Sequence, residues 1–196
     1  MWVLKQLDKK KPVSPEKIHI VENLGSLFDY VNFHERVPTK KKEDCTGEYG
    51  RLHIGALSAT EKKFHDDLLQ CDITVVISFS NNGVPQSHQH EKITYHWFQN
   101  VVDREDFPIK QVFHKAYKLI DETLFEHKKS VLVHCNMGVS RSATIVIAYL
   151  IKKCCLNYQE AYTLLKQCRK EINPNRGFVK QLLEWEKECN DSKEDS

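Results

Sequence analysis

The residues of this sequence whose types and spacing best support chemistry are Cys135 and Arg141, which flank a short turn containing a glycine. Residues 131–133 before them are apolar and mostly β-branched, which predicts a short buried strand. From Ser142 onwards, an apolar run is long enough for a buried helix. A turn that joins a strand to a helix start binds anions, because its N–H groups converge and the helix dipole favours negative charge. We therefore expect a nucleophilic sulfur and a guanidinium to meet on one phosphate.

The chemistry expected of this turn is displacement at phosphorus. Cys135 has to attack as the thiolate, since the thiol is a poor nucleophile, and a helix start beside a cation stabilises that thiolate. The planar fork of Arg141 pairs two phosphate oxygens at once. We expect His134 to orient the loop by hydrogen bonding and to help keep the sulfur anionic; the alternative is a buried histidine without catalytic consequence. The N–H groups expected to hold the phosphate belong to Asn136, Met137, Gly138, Val139, Ser140 and Arg141.

The pattern His134-Cys135-x-x-Gly138-x-x-Arg141-Ser142 resembles the signature of the cysteine-dependent protein tyrosine phosphatase superfamily. Its fuller form, Cys-x-x-Gly-Val-Ser-Arg-Ser followed by Ala-Tyr-Leu, is similar to the dual-specificity branch. The resemblance implies an enzyme that hydrolyses phosphotyrosine and phosphoserine or phosphothreonine on proteins through a cysteinyl-phosphate intermediate, without a metal or another cofactor. It also implies that Ser142 assists the departing thiolate; the alternative is an ordinary residue at a helix start.

The leaving group of this reaction needs a proton, because a serine or threonine alkoxide is strongly basic. The resemblance implies an aspartate on a loop upstream of the cysteine, and residues 100–107 offer Asp103 and Asp106. We predict Asp103 as the general acid, since it begins an Asp-x-x-acid-Phe pattern like that of the family. Asp106 is the alternative, unless it caps the helix that follows. Asn175 is similar in position to a family residue that braces the phosphate loop, although a plain turn asparagine is equally compatible.

The loop between the cysteine and the arginine also bears on the substrate. Phosphatases of phosphoinositides often carry lysines at these positions, whereas Asn136, Met137, Val139 and Ser140 are neutral. This difference favours a single phosphate monoester on a protein over a lipid headgroup. Two alternatives stay open: a phosphoprotein-binding scaffold with weak turnover, and a phosphatase of a non-protein phosphate monoester. A full set of cysteine, arginine and aspartate favours the enzyme.

Length and composition restrict the class of protein. A chain of 196 residues with 40% hydrophobic residues suits one domain with its own core. A formal net charge of +2 is too small to indicate nucleic-acid binding. No apolar run reaches the ~18–20 residues that span a bilayer. Seven scattered cysteines, an odd number, favour a reducing compartment. We expect a cytoplasmic monomer, with the nucleus as a second compartment, that binds neither nucleic acid nor membranes.

The order of elements predicts an α/β fold. Apolar β-branched runs alternate with segments of helical periodicity, which favours a mostly parallel sheet of about five strands with helices on both faces. We predict the catalytic domain at residues 48–190, with an N-terminal lead-in, helix and linker at 1–47 and an acidic tail at 191–196. The segments with strand patterns are 51–55, 73–77, 93–98 and 131–135. The segments with helix patterns are 59–69, with Ser58 as N-cap, then 111–125, 142–151, 158–170 and 177–189.

The N-terminal segment has the pattern of a helix. Ser14 and Pro15 fit an N-cap and a first helical residue. Apolar residues then recur on one helical face, at Ile20, Leu24, Leu27, Phe28 and Val31. A helix before the first strand is similar to the small, vaccinia-phosphatase-like dual-specificity phosphatases. At the other end, six acidic residues from Glu184 onwards against two lysines predict a frayed, solvated terminus.

Two further patterns are weaker. Residues 9–11 are lysines followed, after a gap, by Ile18 and Ile20, which resembles a docking pattern for MAP kinases. The alternative is a solvated lysine run before a helix. His88, His90 and His96 invite comparison with a metal site, but no carboxylate or cysteine stands at a ligand spacing, so we expect no metal there.

Overall fold

The structure is a computed structural model that describes residues 28–30 and 49–194. Its centre is a five-stranded sheet in the order β1-β2-β5-β3-β4. The strands are β1 Phe28–Tyr30, β2 Leu52–Ala56, β3 Ile73–Ser78, β4 Thr94–Trp97 and β5 Ser130–Cys135. The α-helices of the described ranges are α1 His65–Gln70, α2 Phe113–Asp121, α3 Arg141–Cys154, α4 Tyr158–Cys168 and α5 Arg176–Glu194. The predicted α/β fold is confirmed.

The sheet places the strand that carries the cysteine at its centre. β5 pairs in parallel with β2 on one side and with β3 on the other, and all six of its residues are buried. β4 continues the parallel pairing beyond β3, whereas β1 pairs antiparallel at the opposite edge. A strand buried on both faces reads as a continuous apolar run, which is why residues 131–133 are apolar without alternation. Cys135 therefore lies at the carboxyl edge of the sheet.

Helices cover both faces of the sheet, as expected. Val131 and Val133 point into the larger core cluster together with α2, α3, α4 and α5, while Leu132 belongs to a smaller cluster with Leu68 of α1. α3 is buried along almost its whole length, and Trp185 of α5 donates a hydrogen bond from Nε1 to its Ala148 carbonyl at 3.0 Å. No helix of the described chain is long and apolar enough to cross a membrane.

The predicted helix over 59–69 is shorter than expected. α1 starts at His65, and two 3-10 turns, Leu57–Thr60 and Lys62–Phe64, precede it. Glu61 between the turns has an extended backbone with ψ 146°, which interrupts the helix. Ser58 lies inside the first turn, whose N-cap position is Ala56 and has no side-chain capping bond. A periodic apolar pattern detects the buried face but not a single extended residue within it.

The N-terminal prediction is wrong where the structure describes it. Phe28 was assigned to the apolar face of a helix, but residues Phe28–Tyr30 form β1. Three residues pair with the free edge of β2, in the register Phe28 with Gly55 and Tyr30 with His53. Pairing with an exposed edge satisfies that strand's backbone groups, a tertiary gain that helical periodicity does not record. The other residues of the predicted helix, the lysine run and the linker lie outside the described residues.

The acidic C-terminal segment continues the last helix. α5 runs to Glu194, so the predicted fraying from Glu184 is wrong and the helix extends into the predicted acidic tail. Trp185 and Cys189 on its inner face are buried, while Lys110 Nζ forms ion pairs with Glu184 and Glu188 at 3.2 and 2.7 Å. The packed face and the paired carboxylates stabilise the helix over residues 184–189.

Candidate active site

The candidate site is the loop between β5 and α3, from Cys135 to Arg141, which we call the phosphate loop. Cys135 is 1% exposed at the end of the central strand, and Arg141 begins the buried helix. Gly138 has φ +70°, and a Cβ at this position would lie 2.6 Å from the Gly55 carbonyl oxygen of β2. Both the positive φ and the close approach of a neighbouring strand require glycine here. The local turn is thus fixed by the strands on which it rests.

The carbonyl groups of this loop are bonded to the surrounding protein. Their donors are the Leu57 amide for Asn136 (3.1 Å), Arg169 Nε for Gly138 (3.1 Å) and the Asn173 amide for Val139 (2.9 Å). In a trans peptide, the N–H of the next residue points opposite to the carbonyl. The N–H groups of Met137, Val139 and Ser140 therefore point away from these partners. For these three residues, that orientation is compatible with the anion site expected inside the loop.

Ser142 lies next to the predicted nucleophile. Its Oγ is 3.3 Å from Cys135 Sγ, and both side chains are buried. A hydroxyl at this distance donates to a thiolate, because the anionic sulfur has lone pairs and no proton. The structure therefore brings Ser142 to the position that its expected role requires.

The guanidinium of Arg141 is held on one side by the protein. Its Nη1 donates to the carbonyl oxygens of Phe79 (2.9 Å) and Val101 (3.2 Å) and to Oδ1 of Asn81. Its Nε lies 3.7 Å from an Asp103 carboxylate oxygen. The arginine is 5% exposed, so its orientation is fixed before a ligand arrives. One nitrogen anchors the group, and the remaining N–H donors are left for phosphate oxygens.

Asn81 is a site residue that the sequence did not predict. Besides Arg141, it contacts the phosphate loop, since its N–H donates to Asn136 Oδ1 at 3.1 Å. The turn that carries it is supported by Trp97, whose Nε1 donates to the Ser80 carbonyl at 3.0 Å and whose ring packs on Gly83. The available signal was its place just after β3, at the carboxyl edge where parallel sheets bind ligands.

The structure separates the two candidate general acids. Asp103 Oδ1 accepts hydrogen bonds from Ser140 Oγ at 2.7 Å and from Asn175 Nδ2 at 2.9 Å, which brings its carboxylate against the phosphate loop. Asp106 instead forms a bidentate pair with Arg104, at 3.0 and 3.2 Å, and its side chain is 74% exposed. The structure thus places the Asp103 carboxylate against the phosphate loop, whereas the Asp106 carboxylate lies against Arg104 and solvent.

Asn175 joins three parts of the site. Its Nδ2 donates to Asp103, and its Oδ1 accepts the Phe178 amide at 2.9 Å, which caps the start of α5. Its own amide donates to Ser140 Oγ at 3.3 Å. The residue is therefore both a helix cap and a brace, since it touches the general-acid loop as well as the phosphate loop.

His134 is completely buried under the loop. Burial lowers its pKa to about 4, with a smaller contribution in the same direction from the Arg141 charge. The ring is therefore neutral at neutral pH, and its Nδ1 donates to the Cys135 carbonyl at 3.2 Å. It can position the loop through this bond, but it cannot stabilise the thiolate as a cation.

His88 and His90, two of the three histidines considered as metal ligands, contact His65. His65 Nε2 donates to the His88 carbonyl at 3.0 Å, and the rings of His65 and His90 meet edge to face with centroids 5.1 Å apart. Among residues 28–30 and 49–194, no group of three or more His, Cys, Asp or Glu side chains is arranged to hold a metal ion.

Residues 54–188 match the family described as dual specificity phosphatase, catalytic domain. The chain belongs to the dual-specificity phosphatase family. Dual specificity protein phosphatase 1B of Arabidopsis thaliana is 42% identical over 167 residues, which cover 85% of this chain and 96% of that one. The resemblance to the dual-specificity branch of the protein tyrosine phosphatase superfamily is thus confirmed, and the chain is a cysteine-dependent protein phosphatase.

Further comparisons agree with this dual-specificity phosphatase assignment. Human dual specificity protein phosphatase 9 is 41% identical over 109 residues, or 56% of this chain. The match spans only 26% of that human protein. Among solved structures, the human tyrosine phosphatase-like serine/threonine/tyrosine-interacting protein has a TM-score of 0.63 at 31% identity, over 69% of this chain and 91% of that one. The likeness therefore extends over most of the described domain.

Proposed function

We propose that this protein removes phosphate from phosphotyrosine and from phosphoserine or phosphothreonine by way of a cysteinyl-phosphate intermediate, with Asp103 as general acid. The observation that carries the proposal is the contact between the phosphate loop and the loop that carries Asp103. Cys135 Sγ lies 3.3 Å from Ser142 Oγ, and the Asp103 carboxylate contacts the same loop through Ser140 at 2.7 Å. These contacts support a site in which nucleophile, anion clamp and proton donor act on one phosphoryl group.

The first step forms the covalent intermediate. The Cys135 thiolate attacks phosphorus, and the P–S bond forms as the P–O bond to the substrate breaks. Arg141 and the loop N–H groups hold the non-bridging oxygens, on which charge is spread in the transition state. Protonated Asp103 gives its proton to the departing oxygen, which leaves as the neutral alcohol or phenol.

The second step releases inorganic phosphate. Water attacks the phosphorus atom of the intermediate and gives a proton to the Asp103 carboxylate, which restores the acid. The P–S bond breaks, and its electron pair returns to the sulfur. Ser142 Oγ donates a hydrogen bond to the thiolate as it forms, which makes sulfur a better leaving group. The side chains that take part in this cycle are Cys135, Arg141, Asp103 and Ser142.

The enzyme assignment is tested with a chromogenic aryl phosphate. We expect turnover by the wild type between about pH 5 and 8, where a stabilised thiolate and a carboxylic acid both function. Cys135→Ser provides the matched control, because it replaces the sulfur alone. Wild-type protein without turnover across this range would contradict the proposal and favour a phosphoprotein-binding scaffold.

The proposed substrate class rests on the loop residues. Asn136 uses its side-chain oxygen to accept the Asn81 amide, and Met137 is apolar and 71% exposed. Neither provides a cation for a second phosphate, which supports a single phosphate monoester on protein. Phosphate release should therefore be faster from phosphopeptides than from phosphoinositides at equal concentration. Faster release from the lipid headgroup would instead assign a non-protein substrate.

We also propose phosphorylated signalling proteins in the cytoplasm as substrates, with MAP kinases as the first class to test. In support, the MAP kinase phosphatase with leucine-rich repeats protein 1 of Dictyostelium discoideum is 43% identical over 89 residues, although these cover 45% of this chain and 10% of that protein. Replacing the lysines at 9–11 by serine should weaken binding to a MAP kinase while leaving aryl phosphate turnover unchanged. Equal binding of the MAP kinase by the wild type and by the variant would contradict the docking hypothesis.

A further inference from the structure

The segment that follows the general acid lies against one face of α5. Residues Gly177, Gln181, Glu184 and Glu188 recur at the spacing of one helical stripe. Each of them contacts residues between 105 and 110. The mechanism above uses none of these α5 residues, so the contacts call for a separate explanation.

Gln181 bonds this segment with both ends of its amide. Its Nε2 donates to the Phe107 carbonyl at 2.8 Å, and its Oε1 accepts the Lys110 amide at 2.9 Å. Both bonds reach backbone groups, so they fix the path of the chain and not merely a side chain. An amide whose donor and acceptor are both engaged has one orientation, since a flip would lose both bonds.

Gly177 brings the helix into direct contact with the loop backbone. A Cβ at this position would lie 1.8 Å from the Glu105 carbonyl oxygen. No side chain fits there unless the loop moves. Glycine therefore permits the first turn of α5 to lie flat against the residues just after Asp103.

Lys110 adds an ion pair at the far end of the stripe. Its Nζ reaches Glu184 at 3.2 Å and Glu188 at 2.7 Å, with all three side chains about one third to one half exposed. Exposed pairs are weak, so these contribute less than the amide bonds of Gln181. At the near end, Asn175 holds the Asp103 carboxylate itself at 2.9 Å.

We propose that Gly177 and Gln181 are positioning residues that hold the general-acid loop in its working position. This inference rests on the proposed function, because it concerns the delivery of a proton by Asp103. Many enzymes close a mobile loop over the substrate to complete the catalytic site. Here the Asp103 carboxylate contacts Ser140 of the phosphate loop at 2.7 Å, and α5 holds the backbone that follows it through Gln181.

The decisive variant is Gln181→Leu, which removes both amide bonds at nearly constant volume. The matched control is Gln167→Leu, at an exposed glutamine of α4. We measure kcat/KM on aryl phosphates of increasing leaving-group basicity. For Gln181→Leu we expect a loss that grows with basicity to about ten-fold, because only basic leaving groups depend on the acid. The control should follow the wild type. An equal loss on every substrate, or no loss at all, would overturn the proposal.

Hydrogen exchange supplies a readout that is independent of turnover. In Gln181→Leu, the backbone amides of residues 104–107, 109 and 110 should exchange at least about ten-fold faster, because local opening becomes easier. Gly177→Ala should show the same pattern more strongly, and its thermal unfolding reports whether the fold persists. Unchanged exchange rates in Gln181→Leu would contradict the proposal that Gln181 holds the general-acid loop in position. A wild type without turnover would contradict the proposed function, while the exchange data would still decide whether α5 holds the loop.

Discussion

The two loops that form the site are built in opposite ways. The phosphate loop runs between the central strand and a helix that is buried almost throughout, and its carbonyls are tied to the protein around it. The acid loop is exposed at residues 102–106 and is held by side chains from Ser140, Asn175 and Gln181. Both loops make contacts distant in sequence, but the first joins a central buried strand directly to a buried helix, whereas the second follows the edge strand β4. We therefore expect anion binding to resist single substitutions, whereas a single substitution can abolish proton donation. We call the phosphate loop, Cys135–Arg141, the robust loop and the loop that carries Asp103 the dependent loop.

The largest effect should come from removing the nucleophile within the robust loop. Cys135→Ser should lower kcat by at least about 10⁴-fold, the scale on which removal of a covalent nucleophile acts. The loop N–H groups and Arg141 are unchanged, so binding of inorganic phosphate should persist. Calorimetric titration with phosphate checks this separation. Loss of phosphate binding together with turnover would show that the two loops are not distinct in the way described.

Removing the proton donor tests the dependent loop. Asp103→Asn should lower kcat on phosphoserine or phosphothreonine peptides by about 10²–10⁴-fold, and the loss should shrink on aryl phosphates with acidic leaving groups. The same substitution at Asp106 serves as the control, since that side chain pairs with Arg104 and faces solvent. A larger loss from Asp106→Asn would reverse the assignment.

Low pH should destabilise the folded protein through His134, which is buried beneath the robust loop. The pKa of His134 is lowered to about 4, below its ordinary value of 6.5, so the unfolded chain binds a proton that the folded protein excludes. The free energy of unfolding should therefore fall as the pH drops from 6.5 towards 4, by about 2 kcal/mol at pH 5 from this residue.

Denaturant unfolding at pH 7 and pH 5 measures this difference. His53, whose pKa burial lowers to about 3, adds a similar contribution in the wild type and in any His134 variant. His134→Asn should consequently reduce the pH dependence without abolishing it. An identical dependence in both proteins would show that the ring under the loop titrates normally.

The smallest effect should come from the anchor of the arginine. Asn81→Ala removes one of three acceptors on Arg141 Nη1, a loss of about 1 kcal/mol, so KM for aryl phosphate should rise about five-fold. Asn82→Ala, at the exposed neighbouring residue, is the control. Steady-state kinetics on aryl phosphate measure KM and kcat separately. A change confined to kcat would show that Asn81 acts on the acid and not on the arginine.

The sequence predicted the robust loop almost completely. Cys135 and Arg141 are brought together by a strand, a turn and a helix that follow one another in the chain, so periodicity and spacing describe them. The expectation for Ser142 came from the resemblance. Asp103 was placed through the resemblance, and its contacts with Ser140 and Asn175 support that choice over Asp106.

Prediction failed where distant parts of the chain decide the structure. Phe28–Tyr30 fits a helical pattern but pairs with the edge of β2, and the acidic end of α5 is held by packing and by Lys110. Asn81 and Gln181 are ordinary polar residues in the sequence. Their importance comes from partners about sixty to seventy residues away, which no local pattern encodes.

The turn behind Arg141 has an optical consequence. Trp97 donates to Ser80 and packs on Gly83, one on each side of the segment in which Asn81 holds the arginine. The indole is 43% exposed, so its emission is sensitive to the local environment, whereas Trp185 is buried in the core at 2%. Of these two tryptophans, the one on the turn that anchors the arginine should therefore change its emission more than the one in the core when an anion binds at the site.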